Sequence, residues 1–199
     1  SDITYSPDSF TLTIGTAMTN SVTPTVNGDP ATSWSISPSL PTGISFGTNN
    51  GTIWGTPTTI SASTAYTVTA VNNGGSGTAT ITMQVNDIAP SSINYSPSSL
   101  SLAKDSQMSD LMPTAQGGDV VTWSILPALP SGLSIDSSTG TISGTPTVMS
   151  PSTSYTVTAT NTGGSATATL TIVVNDAIPT GINYNCLLYT SPSPRDSCA

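Results

Sequence analysis

Apolar and polar residues alternate with a period of two along most of the chain. Tyr66, Val68 and Ala70 fall on one side of a segment whose other side carries Thr67 and Thr69. Ala79, Ile81, Met83 and Val85 alternate with Thr78, Thr80 and Thr82. The pattern returns at Ser154–Thr160 and at Ala168, Leu170, Ile172 and Val174. Such alternation predicts strands with one face buried and one face in water. Threonine on the outer face suits it, being β-branched yet polar. No window carries a helical period with caps, so the chain reads as all-β.

The corners are as informative as the strands. Leu129-Pro130-Ser131-Gly132-Leu133-Ser134-Ile135-Asp136 leads through Ser137-Ser138-Thr139-Gly140 into Thr141-Ile142-Ser143-Gly144-Thr145-Pro146, and an earlier copy runs from Leu40 to Pro57. Leu133 and Ile135 point one way, Asp136 to Gly140 is turn chemistry, and Ile142 returns inward, which predicts a hairpin. Around it we place a first strand split by Pro7 (Pro97), since proline removes a ladder donor. A second strand is expected near Val22–Val26 (Met112–Ala115), a third at Thr32–Ile36 (Val120–Ile125), a sixth at Ala65–Val71 and a last at Thr78–Val85. Asn72-Asn73-Gly74-Gly75 turns the chain between the last two.

All of this occurs twice, with a period of about 90 residues. Ile3-Thr4-Tyr5-Ser6-Pro7 recurs as Ile93-Asn94-Tyr95-Ser96-Pro97, and Trp34, Tyr66 and Asn86-Asp87 recur as Trp123, Tyr155 and Asn175-Asp176. The period is too long for a solenoid unit and fits a whole sandwich domain of about seven strands. Residues 1–88 and 89–177 are read as two repeats in series. Residues 178–185 are read as the start of a truncated third, because Ile182-Asn183-Tyr184 begins the motif again. The segments Asp87–Ser92 and Asp176–Gly181 are read as short linkers stiffened by Pro90 and Pro179.

The long hairpin motif, followed by Tyr155-Thr156-Val157-Thr158-Ala159-Thr160-Asn161 and a glycine pair, resembles the putative-Ig repeat family of bacterial surface modules, related to dystroglycan-type cadherin-like domains. The resemblance covers both repeats. It implies tandem Ig-like Greek-key β-sandwiches in an extracellular or cell-surface protein, with no catalytic residues to carry over.

Composition narrows the function. Ser and Thr make up about a third of the chain, Glu and His are absent, and Lys104 and Arg195 are the only basic residues. The net charge of −8 comes from scattered Asp. Such a surface repels phosphate backbones and offers no basic patch to anionic lipid, which disfavours nucleic acid and membrane as partners. No apolar run approaches the roughly 20 residues of a membrane-spanning helix. The absence of an initiator Met and of a leader suggests that Ser1 is a cut inside a longer chain. Cys186 and Cys198 both lie in the last stretch, 186–199, so a disulfide framework is not expected in the repeats. That stretch resembles a translated sequencing-adapter remnant and is read as non-native; a disordered natural C-terminus is the alternative.

Four kinds of residue merit weighing. Trp34 and Trp123 lie where Ig sandwiches bury a tryptophan. Trp54 follows inward Ile53, so it points outward, where it could stack on a sugar, pack against a neighbouring domain or be incidental. Asn86 and Asp87, with Asn175 and Asp176, stand at the junctions where cadherin-like chains hold Ca²⁺. One carboxylate per junction is few for an ion that takes about 6–8 oxygens, and an Asx-type turn is the alternative. Asn50-Gly51-Thr52 and Asn94-Tyr95-Ser96 fit the glycosylation acceptor pattern, a weak signal in a short motif. With no His, no Glu and no Cys in the repeats, a nucleophile has no evident base beside it, and we expect no enzyme. The expected role is an adhesive or spacer stalk whose partners are neighbouring repeats and surface glycans or proteins. The alternatives are a carbohydrate-binding accessory module of a secreted enzyme and a fibre or phage decoration domain.

Overall fold

The computed structural model describes residues 2–177 and Gly181. The readings of a third repeat start, of both cysteines and of the tail fall outside the described residues, Gly181 excepted. No helix is long and apolar enough to cross a membrane among the described residues. The first half holds β1 (Asp2–Thr4), β2 (Ser9–Thr13), β3 (Thr25–Asn27), β4 (Ser33–Ser37), β5 (Ile44–Phe46), β6 (Ile53–Gly55), β7 (Ser61–Asn72) and β8 (Gly75–Asn86). The second repeats them as β9 (Pro90–Tyr95), β10 (Ser99–Ala103), β11 (Pro113–Gly117), β12 (Thr122–Leu126), β13 (Leu133–Ile135), β14 (Ile142–Gly144), β15 (Ser150–Asn161) and β16 (Gly164–Asn175).

Each half has a four-stranded layer, β2-β8-β7-β4 or β10-β16-β15-β12. The facing layer is built from the pairs β1-β3 and β5-β6, or β9-β11 and β13-β14. Single bridges, Val22 to Ile53 and Leu111 to Ile142, join the pairs of that layer. The long hairpins explain which face is buried. Tyr66 stands opposite Ile81 and Thr67 opposite Thr80, so aromatic and aliphatic side chains share one face and threonines the other. Val68, Ile81, Met83 and Val85 are fully buried, as are Val157, Leu170 and Ile172 at the matching places. Trp34 and Trp123 are buried as expected. One apolar cluster gathers around Trp34 and another around Trp123, with no residue in common.

Pro7 does split the first strand, and the consequence is a change of layer. β1 pairs antiparallel with β3, whereas β2 crosses over and runs parallel to β8, Phe10 beside Met83. The second half does the same with β9 and β10.

Three expectations need correction. The second strand is not Val22–Val26 but Thr25–Asn27, because Pro24 has no N–H for the ladder; Val22 keeps only its bridge to Ile53. Its counterpart begins at Pro113 rather than Met112, whose side chain is exposed. The linker is also shorter than Asp87–Ser92. Pro90 to Ser92 already belong to β9, where Pro90 stands opposite Gly117 and Ser91 opposite Gln116. A proline at the first position of a strand forfeits no ladder bond that the strand needs.

Candidate functional site

No histidine or glutamate exists in the chain, and no group of three or more His, Cys, Asp or Glu side chains converges among the described residues. Three surface grooves each carry one carboxylate, Asp29, Asp176 or Asp8. Lys104 lies 3.6 Å from Asp105, an exposed pair of the kind that contributes little.

The candidate calcium positions sit at strand ends, as their phase in the repeat suggested. The Asp87 carboxylate accepts from the Ile88 amide at 2.8 Å, and that of Asp176 accepts from the Ala177 amide at 3.0 Å. Asn86 accepts from the Gln84 side chain, and Asn175 donates to Ser101 Oγ at 3.1 Å. Each residue therefore already has a partner: a near neighbour in sequence for Asn86, Asp87 and Asp176, the local bonding that short polar side chains supply at strand ends, and the adjacent strand β10 for Asn175. Asn175 and Asp176 line one groove with Ser101, Leu102 and Ala103.

Trp54 is 44% exposed, on the outer side of β6 opposite Ser45. Its ring lies over Gly47, where an added Cβ would stand 3.4 Å from it. The matching strand of the second repeat, β14, carries no aromatic, and Ser143 stands at the place of Trp54. Asn50, the first acceptor asparagine, turns its side-chain oxygen to the Thr52 amide at 3.0 Å. Asp136 does what a turn residue should: its carboxylate accepts the amides of Ser138 and Thr139 at 2.7 and 2.9 Å. Those two bonds hold its carboxyl below the ordinary aspartate range.

The most built polar constellation is one the sequence did not single out. It lies where the chain passes from β8 to β9. Asn161, at the end of β15, is a buried polar residue, 8% exposed. Its amide nitrogen donates to the Ile88 carbonyl at 2.7 Å and to the Asp119 carbonyl at 3.0 Å. Its oxygen accepts the amides of Gly163 and Gly164. All its hydrogen-bonding capacity is thus used. Thr162 Oγ1 accepts the Asp87 amide at 3.0 Å. Gly118 and Gly163 press against the same segment: a Cβ on either would stand 2.0 or 2.1 Å from the carbonyl oxygen of Ile88 or Asp87. The linker is gripped by its main chain. The signal in the sequence was the Asn-x-Gly-Gly run at the tip of both long hairpins, legible as a turn but not as a hand that reaches the neighbouring segment.

Part of a Staphylococcus aureus (strain MRSA252) protein named serine-rich adhesin for platelets is 32% identical over 160 residues, 80% of this chain and 12% of the adhesin. The same-named protein of strain MW2 is also 32% identical, over 7% of its length. The chain therefore spans only a small part of these curated relatives. Among solved structures, extracellular domains 3–5 of Drosophila OTK superpose with a TM-score of 0.50 at 17% identity, covering 87% of this chain and 62% of that one, a likeness of fold. The family model described as Putative Ig domain matches residues 1–86 and again residues 90–175. The chain belongs to the Putative Ig domain family and carries two copies of it in series.

Proposed function

We propose that this chain is a non-catalytic spacer or adhesive stretch of a larger secreted or surface protein, in which Ig-like repeats hold another part at a distance. The observation that carries this reading is duplication without fusion. Two copies of one sandwich, in the same strand register, each close over their own apolar cluster. Serial domains that meet only at short joints provide reach and stiffness. The reading treats residues 1–88 and 89–177 as separately folding units. Likeness to adhesins and the Ser/Thr-rich surface support an extracellular place. Pulling the chain between its ends by force spectroscopy tests the proposal: two unfolding events of similar contour length are expected, and a single event releasing the whole chain would refute it.

A contact role is the second reading, and exposed Trp54 favours it. A flat aromatic on an outer strand suits a sugar ring or another protein's surface. Binding to a glycan array by the intact chain, lost in Trp54→Ala, would support it; binding unchanged by that substitution would remove Trp54 from any such site.

A further inference from the structure

The grip on residues 87–89 has a counterpart at the upstream end of the first repeat, where Asp29 stands in place of Gly118 and Asn73 in place of Thr162. Trp34 and Trp123 are 89 positions apart (123 − 34), and the same offset matches Asn72 with Asn161, Gly74 with Gly163, Gly75 with Gly164 and Asp29 with Gly118. Asn72, Gly74 and Gly75 line an open polar groove of about 270 Å³ with Asn27, Gly28 and Asp29. A Cβ on Gly74 would meet only the Asn72 side chain, and one on Gly75 nothing. Asn72 accepts the Gly74 amide at 2.8 Å as Asn161 accepts that of Gly163, but its nitrogen makes only long bonds to Asp29 and Pro30 carbonyls, at 3.3 and 3.5 Å. At the position of Gly118, however, stands a residue with a Cβ. In the second repeat that Cβ would occupy the place of the Ile88 carbonyl, the acceptor of Asn161.

We propose that the residue at position 118, and its counterpart 29, decides whether a repeat grips the linker that enters it. The partner this surface fits is the main chain of an Asp-x-x-Pro linker from another copy of the repeat. Glycine lets the linker carbonyl down onto the asparagine amide and makes a stiff joint. Asp29 holds such a carbonyl off, so a repeat of the first kind receives its upstream neighbour through a hinge. Two features on the chain make the partner concrete. Asp176-Ala177-Ile178-Pro179-Thr180-Gly181 repeats the arrangement of Asp87-Ile88-Ala89-Pro90-Ser91-Ser92. Ser92 and Gly181, in the same place of each, both have positive φ, +49° and +90°. The inference concerns the joint and holds whatever the chain's larger role.

The test has two arms. In the natural chain, Gly118→Asp is compared with wild type by residual dipolar couplings and by exchange of the Asn161 side-chain amide. The two repeats are expected to lose their common alignment tensor, and that amide to exchange about tenfold faster as the local contact opens. In a longer chain, residues 1–181 run directly into Ile3–Ala177 of a second copy, in the register that Ile182-Asn183-Tyr184 prescribes. There the new joint is expected to show two alignment tensors, and Asp29→Gly in the second copy to merge them and slow exchange at Asn72. A common tensor at the new joint with Asp29 in place would overturn the proposal. So would a Gly118→Asp chain that keeps its common tensor. Should Gly118→Asp fail to fold, as shown by loss of a dispersed amide spectrum, the Asp29→Gly arm decides alone.

Discussion

The Tyr95 hydroxyl donates a hydrogen bond of 2.6 Å to the carbonyl oxygen of Gly140, across 45 positions of sequence. Tyr5 does the same to Gly51, also at 2.6 Å. Each glycine lies beneath a tryptophan: a Cβ on Gly140 would stand 2.6 Å from Trp123, and one on Gly51 2.6 Å from Trp34. Both glycines have positive φ, +73° and +70°. The first strand, the hairpin turn and the tryptophan-bearing strand (β4 or β12) are thus tied at one point in each repeat, by a buried hydrogen bond and a ring packed on bare backbone.

Removing that hydroxyl leaves the Gly140 carbonyl buried without its partner. Tyr95→Phe is expected to cost the second repeat about 1–3 kcal/mol, the range for an orphaned buried acceptor. Urea denaturation followed by Trp123 fluorescence measures it. The first repeat should be unaffected in this variant and respond instead to Tyr5→Phe.

Alkali should act through the same bond. Burial pushes the Tyr95 hydroxyl up to about 12 and raises that of Tyr5 as well. A raised value means that the native state holds its proton after the unfolded chain, near 10, has released it. The stabilisation is therefore complete below pH 10 and is lost as pH rises toward 12. Denaturation midpoints should be flat up to about pH 10 and fall beyond it, and Tyr95→Phe should flatten that fall in the second repeat.

Asp136 works in the opposite direction. Its carboxylate receives the Thr139 and Ser138 amides, and its value is lowered. The contribution is present above the unfolded value near 3.9 and is lost as pH falls through the native one. Asp136→Ala should lower the melting temperature of the second repeat at neutral pH and make it less sensitive to acid. The first repeat, with Gly47 at this position, serves as the internal control.

Chelation tests the junction aspartates. Each accepts the amide of the residue that follows it, and no group of three or more His, Cys, Asp or Glu side chains converges among the described residues. The melting temperature should be the same with millimolar Ca²⁺ and with chelator. A rise with Ca²⁺ that Asp87→Asn or Asp176→Asn abolishes would restore the metal reading.

Much of the architecture could be read before any coordinates. Alternation of Tyr66, Val68 and Ala70 with threonine, and of Leu170, Ile172 and Val174 likewise, assigns each residue to a face because strand periodicity is local. The outward place of Trp54 and the turn role of Asp136 follow from the same local logic. The second strand was misplaced because its apolar pattern continues across Pro24 although its ladder cannot. The joint was illegible for a different reason. Asn161 lies 73 positions from Ile88, and nothing in an Asn-x-Gly-Gly turn says which distant carbonyl its amide will reach.

On its own, the amino-acid order determined what repeats: two all-β units, their inward faces, their corners and their shared family. Those properties depend on spacing and local stereochemistry, which a linear pattern records in full. Only the tertiary structure decided how the units meet, that β2 and β10 run parallel beside the last strands, and that Gly118 and Asn161 close on the main chain of residues 87–89. Contacts to backbone leave no complementary residue type to notice, so the chain has to be folded before they can be seen.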